Sequence, residues 1–320
     1  MNDLSLAGTT SVVFGGRGFI GSHLVDLLLE RGAYVRSFDR PYALGTAFRD
    51  EPVARLEQLQ GDFTSSSDVS QALAGCEYCF HLVSTTLPQG SNADPIYDVE
   101  SNLVSSLRLM QHAVHHRVKK LVFVSSGGTV YGIPKSSPIS EAHPTDPICS
   151  YGIAKLAIEK YLGLYKLLHG LDYKVLRLSN PFGERQRTES SQGAVAVFLG
   201  KALRNETIEI WGDGSVVRDY VYISDVVRAI VSAALSPAPE TTFNIGSGRG
   251  ISLNEILSAM ESLLGAPICR NYSAPRPFDV PVNVLDIALA KSRLGWSPRV
   301  DFELGLKTMI DDRRREEILI

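Results

Sequence analysis

Along the first half of the chain, short runs rich in β-branched and aromatic residues alternate with longer stretches in which apolar residues recur every three or four positions. The short runs are typical of buried strands, and the longer period is typical of helices with one buried face. The predicted strands cover residues 10–14, 34–38, 56–60, 77–83, 120–125 and 174–178, and the predicted helices cover residues 19–31, 66–74, 94–117 and 151–169. This alternation predicts a doubly wound α/β domain, in which helices cover both faces of a parallel sheet.

The pattern loosens after about residue 180, where loops, short strands and further helices follow. We predict these helices near residues 191–203, 224–235, 252–264 and 302–315. We therefore expect a Rossmann-type domain in residues 1–178 and a smaller α/β lobe, mainly in residues 179–320, that binds the substrate over the carboxyl edge of the sheet. A strand pattern at 242–245 predicts that residues 222–248 return to the first domain and extend its sheet.

Composition narrows the range of partners. The 320 residues include 32 Lys or Arg and 35 Asp or Glu, a formal net charge of -3, so there is no basic excess to neutralise a nucleic-acid backbone. No apolar run reaches the about 20 residues that cross a bilayer, and no basic cluster marks a leader. Four cysteines are too few for a disulfide framework. We expect a cytoplasmic protein that binds neither nucleic acid nor membrane.

A glycine-rich stretch, GGRGFIG at residues 15–21, directly follows the first predicted strand and leads into the first predicted helix. In this context Gly15 permits a tight turn, Gly18 allows a ligand to approach the backbone, and Gly21 lets the helix pack on the strand. A pyrophosphate can then bind at the helix N-terminus. The stretch predicts a dinucleotide site whose phosphates are surrounded by Gly15, Gly18, Phe19, Ile20 and Gly21.

An acidic residue, Asp39, follows the second predicted strand at about the expected 20 residues beyond the glycines. A carboxylate in this place accepts hydrogen bonds from both hydroxyls of the adenosine ribose and repels a 2′-phosphate. The sequence therefore favours NAD over NADP, although the neighbouring Arg40 weakens the preference slightly.

A second glycine cluster, at residues 246–250, also lies between a predicted strand and a predicted helix. It has no following strand with an acidic end, and Ser252 and Glu255 form a capping box for the helix. We interpret it as a structural turn.

Tyr151 and Lys155 are four residues apart on a predicted helix, so both side chains lie on one face. An ammonium beside a phenol favours the phenolate, which would let Tyr151 exchange protons near neutral pH. Lys155 is also placed to hold a nicotinamide ribose. Tyr131 and Lys135 have the same spacing, but the glycine and proline between them prevent a helix. We expect only the first pair to act together.

With these motifs in order, the chain resembles the extended short-chain dehydrogenases/reductases, and among them the UDP-galactose 4-epimerase type of nucleotide-sugar enzyme. The resemblance covers nearly the whole length. It rests on the glycine loop, Gly61 and Asp62, Asn102, residues 125–132 (SSGGTVYG), Tyr151 with Lys155, and residues 180–183 (NPFG), 218–220 (RDY) and 276–279 (RPFD).

The resemblance implies roles for further residues. It implies that the adenine of the cofactor contacts Asp62 and Phe63. The rest of the cofactor channel is implied to be lined by Leu82, Val83 and Asn102. The nucleotide diphosphate of the substrate is implied to be held by Asn180, Arg218, Arg276 and Asp279. Guanidinium groups bind a diphosphate bidentately, and a carboxylate suits a ribose diol. Without the resemblance, Arg218 beside Asp219 would be interpreted as a surface ion pair.

One position departs from the family. The resemblance places a Ser or Thr five residues before the glycine that ends the Val-Tyr-Gly motif, where its hydroxyl binds the substrate oxygen and the tyrosine. That position is Gly127 here. We expect Ser126, and after it Thr129, to supply the hydroxyl; the alternatives are that the sugar binds differently, or that these hydroxyls only cap the strand end.

The resemblance implies a nucleotide-sugar 4-epimerase with tightly bound NAD, acting on a UDP-linked hexose or N-acetylhexosamine. Tyr151 would take the proton of the hydroxyl on carbon 4 while hydride moves to NAD, and hydride return to the other face would give the epimer. A 4,6-dehydratase would carry an Asp-Glu pair where Gly128 and Thr129 stand. A 4-keto-sugar reductase would more naturally use NADPH. A regulator that senses NAD without turnover is the alternative from a different class.

Three histidines, His112, His115 and His116, share a helical face with a spacing that could ligate a metal. Basic residues follow them directly, which favours a solvated helix end, and we expect no metal. The resemblance also implies a homodimer formed through the helices at 94–117 and 151–169.

Overall fold

The computed structural model describes residues 5–41, 54–88, 90–189, 193–275 and 280–318. The strands, in chain order, are β1 Thr10–Phe14, β2 Tyr34–Asp39, β3 Leu56–Gln60, β4 Tyr78–His81, β5 Lys120–Ser126, β6 Tyr173–Leu178, β7 Asn180–Phe182, β8 Ile208–Trp211, β9 Val217–Tyr222, β10 Thr242–Ile245, β11 Gly250–Ser252, β12 Arg270–Ser273 and β13 Val282–Asn283. The helices are α1 Phe19–Glu30, α2 Ser66–Leu73, α3 Pro95–Asp98, α4 Ser105–His115, α5 Ser150–His169, α6 Ala194–Leu203, α7 Ile223–Leu235, α8 Leu253–Leu264, α9 Ala288–Leu294 and α10 Phe302–Ile318.

The main sheet has seven parallel strands in the order β3-β2-β1-β4-β5-β6-β10. This is the doubly wound, Rossmann-like arrangement that the strand and helix pattern predicts. The strand order reverses between β1 and β4, so their carboxyl ends border the crevice where such sheets bind ligands. The loops after β1, β4 and β5 therefore position the candidate site.

Alternate side chains of the central strand β1 enter two different cores, as the two-residue period of a strand requires. Val13 packs in the core under α1 and α7. Val12 and Phe14 pack in the core under α2, α4 and α5. Because both faces are covered by helices, the strand ends in three consecutive apolar residues rather than an alternating pattern.

The predicted helix at 94–117 is interrupted in the structure. Asp94 caps α3 by accepting from the backbone N–H of Tyr97, and a π-helical segment, Val99–Val104, then joins α3 to α4. The wider turns of a π segment change which side chains share a face, and apolar residues spaced by three or four do not reveal them. The single-helix prediction is therefore wrong for residues 99–104.

The chain after β6 builds smaller sheets and then returns to the main one. The strand β10 pairs in parallel with β6 at the edge of the seven-stranded sheet. In the lobe, β9 pairs with β7, β11 and β13, and β8 pairs with β12. Within the described ranges, no helix combines the length and the hydropathy that a membrane crossing requires.

Two oppositely charged side chains are buried between α5 and the sheet. Arg177 of β6 donates from Nη2 to Glu159 Oε2 of α5 at 2.6 Å, and Ser125 of β5 donates to Glu159 Oε1 at 2.6 Å. The Arg177 guanidinium lies over the Tyr131 ring, 4.8 Å from its centre. Separating a buried pair leaves an uncompensated charge, so these contacts favour a single position of α5 on the sheet.

Candidate active site

The glycine loop turns from β1 into α1 and requires glycine at both ends, at Gly15 for its backbone conformation and at Gly21 for lack of space. Gly15 has a φ of +85°, and a Cβ added to Gly21 would lie 2.0 Å from the Gly15 carbonyl oxygen. The N-cap of α1 is Gly18, which offers no side chain to the first turn. The backbone N–H groups at Phe19 and Ile20 therefore begin a helix whose positive end can receive an anion.

The carboxylate of Asp39 is held at the edge of this loop. It accepts from the backbone N–H of Arg17 at 3.0 Å and from that of Arg40 at 2.9 Å. The glycine turn, the uncapped helix and the fixed carboxylate together fit a pyrophosphate with a ribose diol beside it. The residues of this site thus fit NAD.

Of the two residues expected to contact the adenine, Asp62 is exposed and the side chain of Phe63 is buried. Asp62 is exposed and accepts from the backbone N–H and the hydroxyl of Thr64, both at 2.8 Å. The Phe63 side chain is buried in the core, with its ring against Phe14 and His81. The contacts of Asp62 and Phe63 with adenine stay predictions, and at Phe63 the core leaves the backbone rather than the ring for such a contact.

The loop after β4 lies against the glycine loop. A Cβ added to Gly15 would lie 3.4 Å from the backbone nitrogen of Val83 and 3.6 Å from Leu82 Cβ. The structure thus brings Leu82 and Val83, both half-buried, beside the proposed pyrophosphate site.

The amide of Asn102, in the π-helical segment, fastens the same loop. Its Oδ1 accepts from the backbone N–H of Thr85 at 2.9 Å, and its Nδ2 donates to Asp98 Oδ1 at 2.9 Å and to Thr86 Oγ1 at 3.1 Å. Asp98 also accepts from the hydroxyl of Ser150, at the start of α5, at 2.7 Å. The sequence analysis did not predict that Asn102, Asp98 and Ser150 form one hydrogen-bonded group. π-helical segments of this kind occur frequently at functional sites.

Tyr151 and Lys155 lie one turn apart on α5, with Lys155 Nζ 5.6 Å from the centre of the Tyr151 ring. Lys155 is buried, and its Nζ donates to the carbonyl oxygen of Val124 at 3.0 Å and lies over the Phe123 ring. Burial lowers the pKa of the Lys155 amine to about 8.

The expectation that Lys155 lets Tyr151 exchange protons near neutral pH stays a prediction, and burial of the phenol opposes it. Burial raises the pKa of Tyr151 to about 12, the neighbouring Cys149 and Asp98 add to the rise, and a hydrogen bond with Ser84 opposes it. Lys155 alone does not offset the burial of the phenol, because its own amine is buried and donates to the Val124 carbonyl oxygen. Additional positive charge beside the ring is needed for Tyr151 to accept a proton at neutral pH.

A side chain at position 127 would have to displace a buried leucine. A Cβ added to Gly127 would lie 2.6 Å from Leu285 Cδ1, and Leu285 is fully buried. A family-type hydroxyl at 127 would therefore require Leu285 to move. Asn283 of β13, also buried, donates from Nδ2 to the Gly127 carbonyl at 3.4 Å, a contact that the sequence did not indicate.

Ser126 and Thr129, the two residues expected to supply the hydroxyl that Gly127 lacks, lie in different surroundings. Ser126 ends β5 and is half-buried. Thr129 packs against α5, since a Cβ added to Gly152 would lie 3.2 Å from Thr129 Cβ. The buried Thr129 Oγ1 has no hydrogen-bond partner in the part of the chain that the structure describes.

A cavity of about 450 Å³ opens in the lobe. Its lining includes Asn180, Lys201, Trp211, Arg218 and Tyr220. The Arg218 guanidinium is oriented by donating from Nη1 to the carbonyl oxygens of Val217 and Val280. Two of the expected substrate residues, Asn180 and Arg218, thus meet in one cavity, whereas Arg276 and Asp279 lie outside the described residues.

Asp219 has a structural role instead of forming a surface ion pair. Its buried carboxylate accepts from the backbone N–H and hydroxyl of Ser247, both at 2.7 Å, and from the backbone N–H groups of Gly248 and Leu285. Burial raises the pKa of this carboxyl group. A Cβ added to Gly246 would lie 2.3 Å from Asp219 Oδ2, so the second glycine cluster is the turn that wraps this carboxylate.

Two of the three histidines at the end of α4 form hydrogen bonds with serines of α2, so they are not fully solvated. His112 Nε2 is 2.8 Å from Ser66 Oγ, and His116 Nε2 is 2.9 Å from Ser70 Oγ. Among the described residues, no group of three potential metal ligands is close enough to hold an ion.

Comparison with known proteins places this geometry among sugar-nucleotide enzymes. The model of the NAD dependent epimerase/dehydratase family matches residues 11–246. UDP-glucose 4-epimerase of Mycolicibacterium smegmatis is 35% identical over 308 residues, covering 94% of this chain and 97% of the relative. The dTDP-4-dehydro-6-deoxyglucose reductase of Escherichia coli is 33% identical, with 95% and 97% covered. The structure of Thermotoga maritima UDP-glucose 4-epimerase with UDP-glucose is 36% identical, with a TM-score of 0.89 and coverage of 97% and 100%.

Replacing Gly127 by Ser is expected to lower the free energy of unfolding by about 1–3 kcal/mol, because the new side chain overlaps Leu285. Gly128→Ser is the matched control, since a Cβ there would meet only Ser126 Oγ at 3.8 Å. Urea denaturation measures both. Equal stabilities of the two variants would contradict the close packing at position 127.

Proposed function

The chain belongs to the NAD-dependent epimerase/dehydratase family, and from this premise we propose that it is a nucleotide-sugar 4-epimerase acting on a UDP-linked hexose or N-acetylhexosamine. The observation that carries the proposal is that one chain combines three features: the glycine loop beside the fixed Asp39 carboxylate, the Tyr151 and Lys155 pair on α5, and the lobe cavity that contains Arg218. The relatives named as UDP-glucose 4-epimerases match nearly the whole chain, lobe included.

Bound NAD supplies the hydride acceptor for carbon 4 of the sugar and then the hydride donor. The glycine loop and the first turn of α1 bind its pyrophosphate, and Asp39 binds its adenosine ribose. Lys155, buried beside Tyr151, holds the nicotinamide ribose.

Tyr151 moves the proton in this mechanism. Its phenol oxygen takes the proton of the hydroxyl on carbon 4 during oxidation and returns it to the oxygen of the 4-keto sugar during reduction. Since burial raises the pKa of the free phenol to about 12, the phenolate needs nearby cations, of which Lys155 is one. Exclusion of water by the buried surroundings strengthens these charge interactions.

The lobe cavity is the proposed site of the nucleotide diphosphate. A volume of about 450 Å³ is within the range of small-molecule sites. The planar guanidinium of Arg218 suits phosphate oxygens, and Lys201 adds a second cation to the lining. Trp211, half-exposed on the wall, offers a ring on which a nucleobase can stack.

Two other reactions of the same family are weighed against epimerisation. A 4,6-dehydratase needs an acid and a base beside the ketone, and Gly128 and Thr129 supply neither. The Escherichia coli relative favours a 4-keto-sugar reductase as the second candidate. Against it, Asp39 beside the glycine loop repels the 2′-phosphate of NADPH.

The purified protein, without added cofactor, is expected to interconvert UDP-glucose and UDP-galactose or their N-acetyl forms. Tyr151→Phe removes the group that moves the proton, and we expect turnover to fall by at least about 100-fold. Nuclear magnetic resonance of the sugar products measures both. Tyr161→Phe, at an exposed tyrosine on the same helix, is the matched control and should retain wild-type turnover.

The products distinguish the candidates. A product lighter by one water would replace the epimerase by a dehydratase, and turnover only of a 4-keto sugar with NADPH would identify a reductase. If no nucleotide sugar reacts and none shifts the melting temperature, the protein is not an enzyme of this substrate class.

We also propose a homodimer, because α3 and α5, which contact each other, both expose large apolar side chains. These side chains are Ile96, Ile153, Leu164, Leu167 and Leu168, of which Leu167 is 81% and Ile96 72% exposed. Soluble monomers rarely expose contiguous apolar patches of this kind, whereas a second copy of the chain can cover them.

Light scattering after size exclusion is expected to give twice the chain mass of 34.9 kDa for the wild type. The double variant Leu167→Glu with Leu168→Glu should elute as a monomer, because it places four carboxylates in a two-fold interface. Leu304→Glu, at an exposed leucine on α10, should remain dimeric. A monomeric wild type would overturn the homodimer.

A further inference from the structure

The first turn of α5, which carries Tyr151, is held by side chains from the loop between β4 and α3. The N-cap residue of α5, Cys149, makes no capping hydrogen bond from its own side chain. Instead, Ser91 Oγ accepts from the backbone N–H of Tyr151 at 3.0 Å. Asn92 Oδ1 accepts from the backbone N–H of Ser150 at 2.9 Å. These are two of the four N–H groups that the start of a helix leaves without a partner inside the helix.

The Ser91 hydroxyl has a fixed orientation toward Tyr151. Its side chain is only 1% exposed, and its hydroxyl hydrogen donates to the carbonyl oxygen of Pro88 at 3.2 Å. The backbone N–H of Ser91 donates to the carbonyl oxygen of Leu87 at 2.9 Å. Because a serine hydroxyl has one hydrogen and two lone pairs, Ser91 Oγ acts toward Tyr151 as an acceptor.

The same loop is attached on the side of the proposed cofactor. At its start, the backbone nitrogen of Val83 would lie 3.4 Å from a Cβ added to Gly15. At its end, Asp98 accepts from the hydroxyl of Ser150 at 2.7 Å and from Asn102 Nδ2 at 2.9 Å. One segment therefore contacts both the glycine loop and the helix turn that carries the phenol.

We propose that Ser91 is a positioning residue for Tyr151, which it fixes by capping the first turn of α5. The proposal rests on the proposed function, in which Tyr151 moves the proton. Proton transfer requires the two heavy atoms to be within about 2.6–3.2 Å of each other, and a misplacement of about 1 Å can cost about 100-fold in rate. Ser91 acts through the backbone of Tyr151, and none of its covalent bonds is made or broken.

The cap of Ser91 complements the buried pair of Glu159 and Arg177. That pair lies two turns further along α5 and fixes the body of the helix on the sheet. The N-terminal turn of a helix has fewer intrahelical hydrogen bonds than its body. The contact with Ser91 therefore acts at the turn where the position of the phenol is determined.

The first experiment observes the backbone of Tyr151 and does not need turnover. Protein with isotope-labelled tyrosine is transferred to heavy water, nuclear magnetic resonance follows the exchange of the tyrosine amide hydrogens, and Tyr151→Phe identifies the resonance. Ser91→Ala should speed exchange at Tyr151 by about two- to tenfold, the value of one hydrogen bond. Asp301→Ala removes a cap from another helix, because Asp301 Oδ1 accepts from the backbone N–H of Leu304 in α10 at 2.8 Å, and should retain the wild-type exchange at Tyr151.

A variant of similar shape separates the hydrogen bond from the filling of space. Ser91→Cys keeps a small side chain at this buried position, but sulfur is a weak acceptor. We expect exchange at Tyr151 in Ser91→Cys to be faster than in the wild type, as in Ser91→Ala. Wild-type exchange in Ser91→Cys would overturn the hydrogen bond as the cause.

The second experiment measures turnover of the nucleotide sugar. Ser91→Ala should lower kcat by about three- to tenfold. It should leave KM unchanged, because the described lining of the lobe cavity belongs to other segments. Asp301→Ala should retain both constants, which separates the position of Tyr151 from a general loss of stability.

Unchanged exchange at Tyr151 in Ser91→Ala would overturn the proposal, and so would faster exchange with an unchanged kcat. If the wild type turns over no nucleotide sugar, the proposed function fails, and the exchange at Tyr151 still decides whether Ser91 holds the first turn of α5.

Discussion

The buried ion pair between Glu159 and Arg177 is the constraint on which the candidate site depends. Its two side chains join α5 to β6, and Ser125 joins the same carboxylate to β5, next to the strand end that faces the site. Lys155 and Tyr151 lie one and two turns earlier on α5. Because loss of one partner from a buried pair costs about 3–5 kcal/mol, the pair holds the helix in one position, and thereby the phenol and the amine against the sheet edge.

Much of the fold could be predicted because strands and helices have different hydrophobic periods. The six predicted strands of the first half are present, and the return of Thr242–Ile245 beside β6 follows from its apolar pattern. The π-helical segment Val99–Val104 could not be predicted, since its local spacing is compatible with an ordinary helix. It forms where Asn102 and Asp98 bind the loop after β4, a tertiary effect that overrides local preference.

Parts of the candidate site could be predicted from the sequence at positions where the backbone conformation or the available space allows only one type of residue. Gly21 is such a position, because any Cβ would collide with the loop carbonyl. The spacing of Tyr151 and Lys155 also follows from helix geometry. The pKa of Tyr151 could not be foreseen, because burial and neighbours from other elements determine it. The buried role of Asp219 likewise depends on segments that are distant in sequence.

Deuterium at carbon 4 of UDP-glucose tests the hydride mechanism most directly, because hydride that returns from tightly held NAD does not exchange with water. Mass spectrometry and nuclear magnetic resonance of the UDP-galactose formed in ordinary water measure where the label goes. Transient oxidation by tightly held NAD predicts that nearly all the deuterium remains on carbon 4 of the epimer. Formation of UDP-galactose that has lost its deuterium to solvent would contradict hydride return and point to a different route of inversion.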